Sequence, residues 1–103
     1  MPSTILCVQE DRAVGRALAM ALEADGHEVL QAPDGRRCLE LAERQTPDVL
    51  VLDLYLSRQD GFEVLASLRE RPMGAELPVL LVCGGDVTRE IVARAERLAA
   101  VGV

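Results

Sequence analysis

Four short strand-like runs, separated by segments with helical periodicity, constrain the fold of this chain more than any other feature. Three of the runs are almost wholly apolar, as expected of strands that are buried on both faces of a parallel sheet. The four runs are TILCV at 4–8, EVLQ at 28–31, VLVLD at 49–53 and PVLLV at 78–82. VLVLD is the most strand-like of them, so we expect it to lie centrally in the sheet.

The segments that follow these runs predict four helices. They begin near Asp11, at Asp34-Gly35, near Gly61 and at about Asp86. The inner face of the second helix is predicted to carry Cys38, Leu39 and Ala42. The inner face of the fourth helix is predicted to carry Ile91, Val92, Ala95 and Leu98. Strands that alternate with helices in this way form right-handed βαβ units. The sequence therefore predicts an α/β fold, a parallel sheet with helices on both faces.

Composition narrows the class of protein. At 103 residues the chain suits one compact core, and this core must be aliphatic because Tyr55 and Phe62 are its only aromatic residues. A formal net charge of -6 without a clustered basic patch argues against nucleic acid as a partner. No apolar stretch approaches the roughly 18 residues of a membrane span, so we expect a soluble cytoplasmic protein. The three cysteines form no CxxC pair and are expected to be reduced thiols, mostly buried.

Polar residues follow three of the predicted strands where each strand ends. Glu10 and Asp11 come after the first strand, Asp53 ends the third, and Cys83 and Gly84 follow the fourth. Ligands of parallel α/β sheets bind at this carboxyl edge. Clustered carboxylates repel one another unless a hard cation joins them, and Mg²⁺ binds few carboxylates while it keeps waters and often a phosphate. The pattern predicts a Mg²⁺ and phosphoryl site with Asp53 as the nucleophile.

Three segments resemble the receiver domains of two-component response regulators. The strand, phosphoacceptor and next helix of that family are similar to PDVLVLDLYLSRQDGFEVLASLR at 47–69. Its acidic opening motif is similar to ILCVQED at 5–11, and its fourth strand is similar to LPVLLVCGG at 77–85. The resemblance implies a flavodoxin-like doubly wound sheet of order 2-1-3-4. It also implies a fifth strand and fifth helix beyond Val103, so the receiver domain at 1–103 is expected to be incomplete. The fourth strand would then be an exposed edge that could form a dimer.

The resemblance also assigns roles to particular residues. Asp53 corresponds to the phosphoacceptor, and Mg²⁺ is the implied cofactor. The metal would contact Glu10, Asp53 and the backbone carbonyl of Tyr55 directly, and Gln9 weakly through water. Cys83 occupies the switch position that is normally Thr or Ser, and the backbone N–H of Gly84 would contact the phosphoryl group. Gly61 corresponds to the turn that opens the third helix.

Four departures from the family pattern bear on activity. Gln9 replaces an acid, which should lower metal affinity, and the Cys83 thiol is a poorer hydrogen-bond donor than a hydroxyl. Ser57 stands where a proline usually stiffens the loop. The family's lysine would lie beyond Val103, and the sequence contains no lysine at all.

Simpler explanations exist for several of these residues. Asp53 could be only a strand-terminal cap, and Glu10 an acid that favours the start of a helix. Cys83 as a catalytic thiol needs a base, and the only histidine, His27, is predicted at the opposite end of the strands. The arginines of the last helix are interpreted as a solvated face. They are Arg89, Arg94 and Arg97.

The leading functional hypothesis is a signalling switch, not a metabolic enzyme. It would take a phosphoryl group onto Asp53 from a sensor histidine kinase or phosphotransfer protein and then control an output domain or partner, with no direct contact to nucleic acid or membrane. The alternative is a phosphorylation-independent pseudo-receiver that binds other proteins. A flavodoxin-like cofactor enzyme is poorly supported, because no Gly-rich phosphate loop follows the first strand.

Overall fold

A four-stranded parallel sheet forms the centre of the molecule. The computed structural model describes residues 3–56, 59–83 and 88–97. The strands are β1 (Thr4–Val8), β2 (Glu28–Ala32), β3 (Val49–Asp53) and β4 (Val79–Val82), in the order β2-β1-β3-β4. All three pairings are parallel. The predicted strand order and the central place of β3 are confirmed.

Each strand connects to the next through a helix. The helices are α1 (Arg12–Ala24), α2 (Gly35–Arg44), α3 (Gly61–Arg69) and α4 (Arg89–Arg97), with a short 3-10 turn at Pro72–Gly74. An aspartate precedes each of the first three helices and accepts hydrogen bonds from N–H groups of its first turn. These N-caps, Asp11, Asp34 and Asp60, satisfy donors that have no partner within the helix, which is why the helices begin there.

The two faces of the sheet bury different sets of side chains, as alternation along a strand requires. Leu6 and Val8 of β1 belong to the main apolar cluster, which also contains Cys38 and Ala42 of α2. Cys7, which lies between Leu6 and Val8 on the strand, is also buried but lies outside that cluster. Burial raises the pKa of Cys7 to about 11 and that of Cys38 to about 12. Both thiols are therefore neutral at physiological pH.

Two predictions about the fourth helix are wrong. The helix begins at Arg89 and not at about Asp86, because the Thr88 hydroxyl accepts the N–H of Ile91 at 3.2 Å as an N-cap does. Val92 was expected to face inward, but its side chain is 39% exposed. Ala95 is buried and Ile91 is partly buried against the core, so the inner stripe of α4 is narrower than predicted. Asp86 and Leu98 lie outside the described residues.

The described sheet ends at β4. Among the described residues this strand pairs only with β3, and its Leu80 and Val82 are 41% and 37% exposed. None of the helices in the described ranges is both long and apolar enough to cross a bilayer.

Candidate functional site

The carboxyl ends of β1, β3 and β4 meet at one edge of the sheet. Val8 of β1 lies beside Leu52, and Asp53 of β3 lies beside Val82 of β4. Parallel register therefore brings the residues that follow these three strands to the same edge. Glu10 and Cys83 are among them, as the sequence predicted.

Asp53 is half-buried, and its carboxylate is oriented by the chain that follows it. Its Oδ1 accepts the backbone N–H of Tyr55 at 2.9 Å. The intervening residue, Leu54, donates its N–H to the carbonyl of Val82 at 2.9 Å. The carboxylate is thereby fixed at the point where β3 gives way to a loop. We call the described part of this loop, residues 54–56 and 59–60, the acceptor loop.

The start of α3 packs directly against the acceptor loop. Asp60 caps the helix through the N–H of Phe62 at 2.8 Å and forms an isolated antiparallel bridge with Tyr55. The N–H of Gly61 donates to the carbonyl of Leu54 at 2.9 Å. A Cβ at Gly61 would lie 2.6 Å from the Asp53 carbonyl oxygen, closer than atoms can pack. The predicted turn at Gly61 therefore has a steric reason: the backbone of the acceptor loop occupies the space of a side chain.

The Tyr55 side chain bridges the acceptor loop and the end of β4. The Cys83 thiol donates to the Tyr55 hydroxyl across 3.6 Å, a long contact suited to sulfur. The pKa of Tyr55 is raised, first by its interaction with the Cys83 side chain and further by the nearby charges of Asp60 and Asp53, because each of these disfavours the phenolate. The residue at the switch position thus contacts the phenol, a contact for which the sequence carried no signal.

Glu10, Asp53 and the backbone carbonyl of Tyr55 are oxygen donors of the kind that Mg²⁺ binds. Glu10 and Tyr55 line a common cleft of about 850 Å³, which Leu54, the residue after Asp53, also lines. The described residues contain no group of three or more His, Cys, Asp or Glu side chains that could hold a metal. Mg²⁺ does not need one, since it typically binds through one or two carboxylates and keeps several waters. Asp53, Glu10 and the Tyr55 carbonyl could supply the protein ligands, and the cleft has room for the waters.

Gln9 lies in a different environment from Glu10. Its side chain lines a separate cleft of about 430 Å³ together with Cys7, Arg12 and Gly15. Its Oε1 accepts the N–H of Asp11 at 3.5 Å, at the limit of a hydrogen bond. The weak metal contact through water assigned to Gln9 stays a prediction. Gly84 and Ser57 lie outside the described residues.

Arg94 lies next to the candidate site, although the sequence pattern predicted that it belongs to a solvated face of the last helix. Its guanidinium carbon lies 4.2 Å from the centre of the Phe62 ring, and its Nη2 lies 3.8 Å from Oδ2 of Asp60. Arg89 and Arg97 are exposed, as expected of a solvated face. Arg94 departs from that interpretation because it reaches back from α4 to the start of α3, which a helical pattern cannot reveal.

Comparison with known proteins identifies the family. The family model for the response regulator receiver domain matches residues 5–103. The chain belongs to this family of receiver domains. It is a receiver domain of two-component signalling, and its sheet order 2-1-3-4 is that of the flavodoxin-like fold.

The relatives of this receiver domain are response regulators. It is 42% identical over 93 residues to the response regulator MprA of Mycolicibacterium vanbaalenii and 43% identical over 89 residues to that of Mycobacterium leprae. These alignments cover 90% and 86% of the receiver domain but only 39% and 38% of the two relatives. The chain thus spans about two fifths of the length of these curated relatives.

Solved structures with the same fold include chemotaxis and receiver proteins. The chemotaxis protein CheY4 of Vibrio cholerae superposes with a TM-score of 0.93 at 24% identity, covering 99% of this chain and 84% of that one, a likeness that shows the fold alone. The receiver protein domain of Methanoculleus marisnigri has a TM-score of 0.91 at 26% identity over 97% of this chain and 80% of its own. The Mn(2+)-bound form of the response regulator Rcp1 has a TM-score of 0.83 at 25% identity, over 98% and 78%.

Proposed function

We propose that this receiver domain is a phosphorylation switch in which Asp53 accepts a phosphoryl group from a histidine kinase or a phosphotransfer protein. The domain would act in the cytoplasm, without metabolic chemistry of its own, and would pass its state to an output domain or partner protein. The observation that carries the proposal is the geometry of Asp53. Its carboxylate stands at the carboxyl edge of the sheet, half-buried, with one oxygen oriented by the Tyr55 N–H.

The transfer itself requires little from the protein beyond position and charge. A carboxylate oxygen of Asp53 attacks the phosphorus of a phosphohistidine, the new O–P bond forms as the P–N bond breaks, and the imidazole leaves with the electron pair and takes up a proton. The Tyr55 N–H holds the attacking carboxylate in place. The half-buried setting limits the water that would compete for the product.

A divalent cation is part of the proposal. Magnesium, when bound by Asp53, Glu10 and the Tyr55 carbonyl, would supply positive charge that offsets the incoming phosphoryl group. The cleft that Glu10 and Tyr55 line together supports this, and so does the similar response regulator Rcp1, which is known in a Mn(2+)-bound form. Removal of the metal with EDTA should abolish transfer.

The test is intact-mass analysis of the full native protein with acetyl phosphate and Mg²⁺. We expect a mass gain of one phosphoryl group that Asp53→Ala abolishes. Asp25→Ala is the matched control, because Asp25 is an exposed aspartate at the C-cap of α1, and this variant should gain the same mass. A gain that persists in Asp53→Ala would contradict the assignment of Asp53.

Cys83 supports one competing function, a phosphorylation-independent pseudo-receiver. A thiol donates hydrogen bonds poorly, and here it is directed to the Tyr55 hydroxyl. A receiver that had lost its phosphoryl response would still present the same folded surface to a partner. The absence of any mass gain, together with no binding of Mg²⁺ or of the phosphate analogue beryllofluoride, would favour this function.

A further inference from the structure

The last of the described helices, α4, is attached to the rest of the described structure by few side chains. Ala95 is its buried residue, and Ile91 is partly buried against the core. Val92 on the same helix is exposed. Such a sparsely packed element is expected to open more readily than the sheet beneath it.

Arg94 provides a third attachment, and this one is directed at the site. Its guanidinium lies over the Phe62 ring at 4.2 Å and beside the Asp60 carboxylate at 3.8 Å. A cation over an aromatic face and an ion pair each attract modestly where the groups are half-exposed, and together they fix one position of the side chain. Phe62 itself is buried, so the guanidinium is anchored on a rigid surface.

The residues that Arg94 contacts belong to the junction between the acceptor loop and α3. Asp60 bridges to Tyr55, and the N–H of Tyr55 donates to the Asp53 carboxylate. A short chain of direct contacts therefore runs from Arg94 through Asp60 and Tyr55 to Asp53. Movement of the acceptor loop would move Asp60 and so change the contacts of the Arg94 guanidinium.

We propose that Arg94 is a positioning residue that couples α4 to the acceptor loop. Through its contacts with Phe62 and Asp60, Arg94 fixes the position of α4 relative to the acceptor loop, which follows Asp53. Any rearrangement around Asp53 then reaches α4 through this side chain. The coupling is a property of the unmodified fold, whereas its use as a signal rests on the proposed function of Asp53.

Amide hydrogen exchange of the full native protein, without a phosphoryl donor, tests the coupling. Arg94→Gln should exchange about threefold to tenfold faster over Arg89–Arg97 and also at the amides of Tyr55 and Gly61. Arg97→Gln is the matched control, since it removes the same charge from the same exposed last turn, and it should change neither region. Acceleration confined to α4, or equal acceleration in both variants, would overturn the proposal.

A second variant separates coupling from general loss of structure. Asp60→Asn keeps a residue that caps helices well but removes the charge that pairs with Arg94. It should accelerate exchange over Arg89–Arg97 in the same direction as Arg94→Gln, while the β1 and β3 amides remain protected. If the α4 amides of Asp60→Asn exchanged at the same rate as those of the wild type, the ion pair would not be part of the coupling, and the proposal would be overturned.

The signalling use is tested by the same experiment with acetyl phosphate and Mg²⁺, with intact mass followed in parallel. In the wild type, the mass gain should be accompanied by changed exchange in α4, and Arg94→Gln should gain the mass but lose at least two thirds of that change. The proposed signalling use would be overturned if phosphorylated Arg94→Gln showed the full wild-type change in α4 exchange. It would also be overturned if the phosphorylated wild type showed no change in α4 exchange. If the wild type gains no mass, the proposed function of Asp53 fails, and the exchange measured without the donor still decides the coupling.

Discussion

At the scale of single residues, the site depends on how closely two backbones approach. Gly61 lies where the acceptor loop turns into α3, and a Cβ there would lie 2.7 Å from the Cα of Leu54 as well as 2.6 Å from the Asp53 carbonyl oxygen. Both obstacles are backbone atoms, which cannot rotate away as a side chain could. The Asp-Gly pair that the sequence displays is therefore a packing requirement as well as a helix start.

Substitution of Gly61 tests this requirement. We expect Gly61→Ala to lower the free energy of unfolding by about 2 kcal/mol, because the added methyl group must displace the acceptor loop. The same change should slow phosphorylation of Asp53, whose carbonyl lies at the contact. Urea unfolding followed by circular dichroism measures the first effect, and intact mass with acetyl phosphate the second.

Gly15 offers a matched control for that experiment. It lies within α1, and a Cβ there would meet only side-chain atoms at 3.4 Å or more, which is ordinary contact. Gly15→Ala should raise the free energy of unfolding by about 0.5 kcal/mol, as alanine does inside helices. Equal destabilisation by both substitutions would show that close approach at Gly61 is not the cause.

At the scale of secondary structure, Arg69 holds the connection between α3 and β4. From the end of α3 its Nη1 donates to the carbonyls of Gly74 at 2.7 Å and Leu77 at 2.6 Å. Burial lowers the pKa of this guanidinium, which nonetheless remains charged. One side chain thus satisfies two carbonyls of the irregular segment that leads into β4.

Removal of this guanidinium should loosen the connection. We expect Arg69→Leu to lower the free energy of unfolding by about 3 kcal/mol, since two carbonyls lose a charged donor. The matched control is Arg16→Leu, at an exposed position of α1, which should change stability by less than about 0.5 kcal/mol. Thermal and urea unfolding of the two variants provide the comparison, and similar losses in both would contradict the role of Arg69.

The sequence predicts those features that depend on interactions between residues close together in the chain, and it does not predict contacts between residues far apart in the chain. The starts of the first three helices could be predicted, because an N-cap aspartate acts within its own turn. The strand order came from family resemblance, and the convergence of Glu10 and Asp53 at one edge follows from any parallel sheet. The contacts of Arg94 with Phe62 and of Cys83 with Tyr55 could not be predicted, since they join residues about 30 positions apart whose side-chain directions periodicity does not fix.

At the scale of the whole molecule, β4 forms one edge of the sheet that the described residues make. Its Leu80 and Val82 are exposed apolar side chains, and among the described residues its outer side has no strand beside it. Exposed apolar edges are templates for association unless charges interrupt them. The possible dimer predicted from sequence remains a prediction.

Light scattering tests whether this edge associates. The 103-residue chain should exceed its monomer mass of 11.2 kDa at high concentration, and Leu80→Lys should return it toward that mass because a charge on an edge strand disfavours pairing. Met20→Lys is the matched control, since Met20 is the more exposed at 62% but lies on α1. A monomeric wild type, or a loss of association in the Met20 variant, would argue against the β4 edge.

The position of β1 in the sheet has a consequence for synthesis on the ribosome. Of the four described strands this one leaves the exit tunnel first, yet it lies between β2 and β3, so the other three are added outward from it. β2 can join as soon as α1 has emerged, then β3 on the other side, and β4 last, each after its connecting helix is complete. The strands around Asp53 can therefore pair before Cys83 leaves the tunnel, and a pause in translation at that stage would leave a partial sheet in which the outer edge of β3 is exposed.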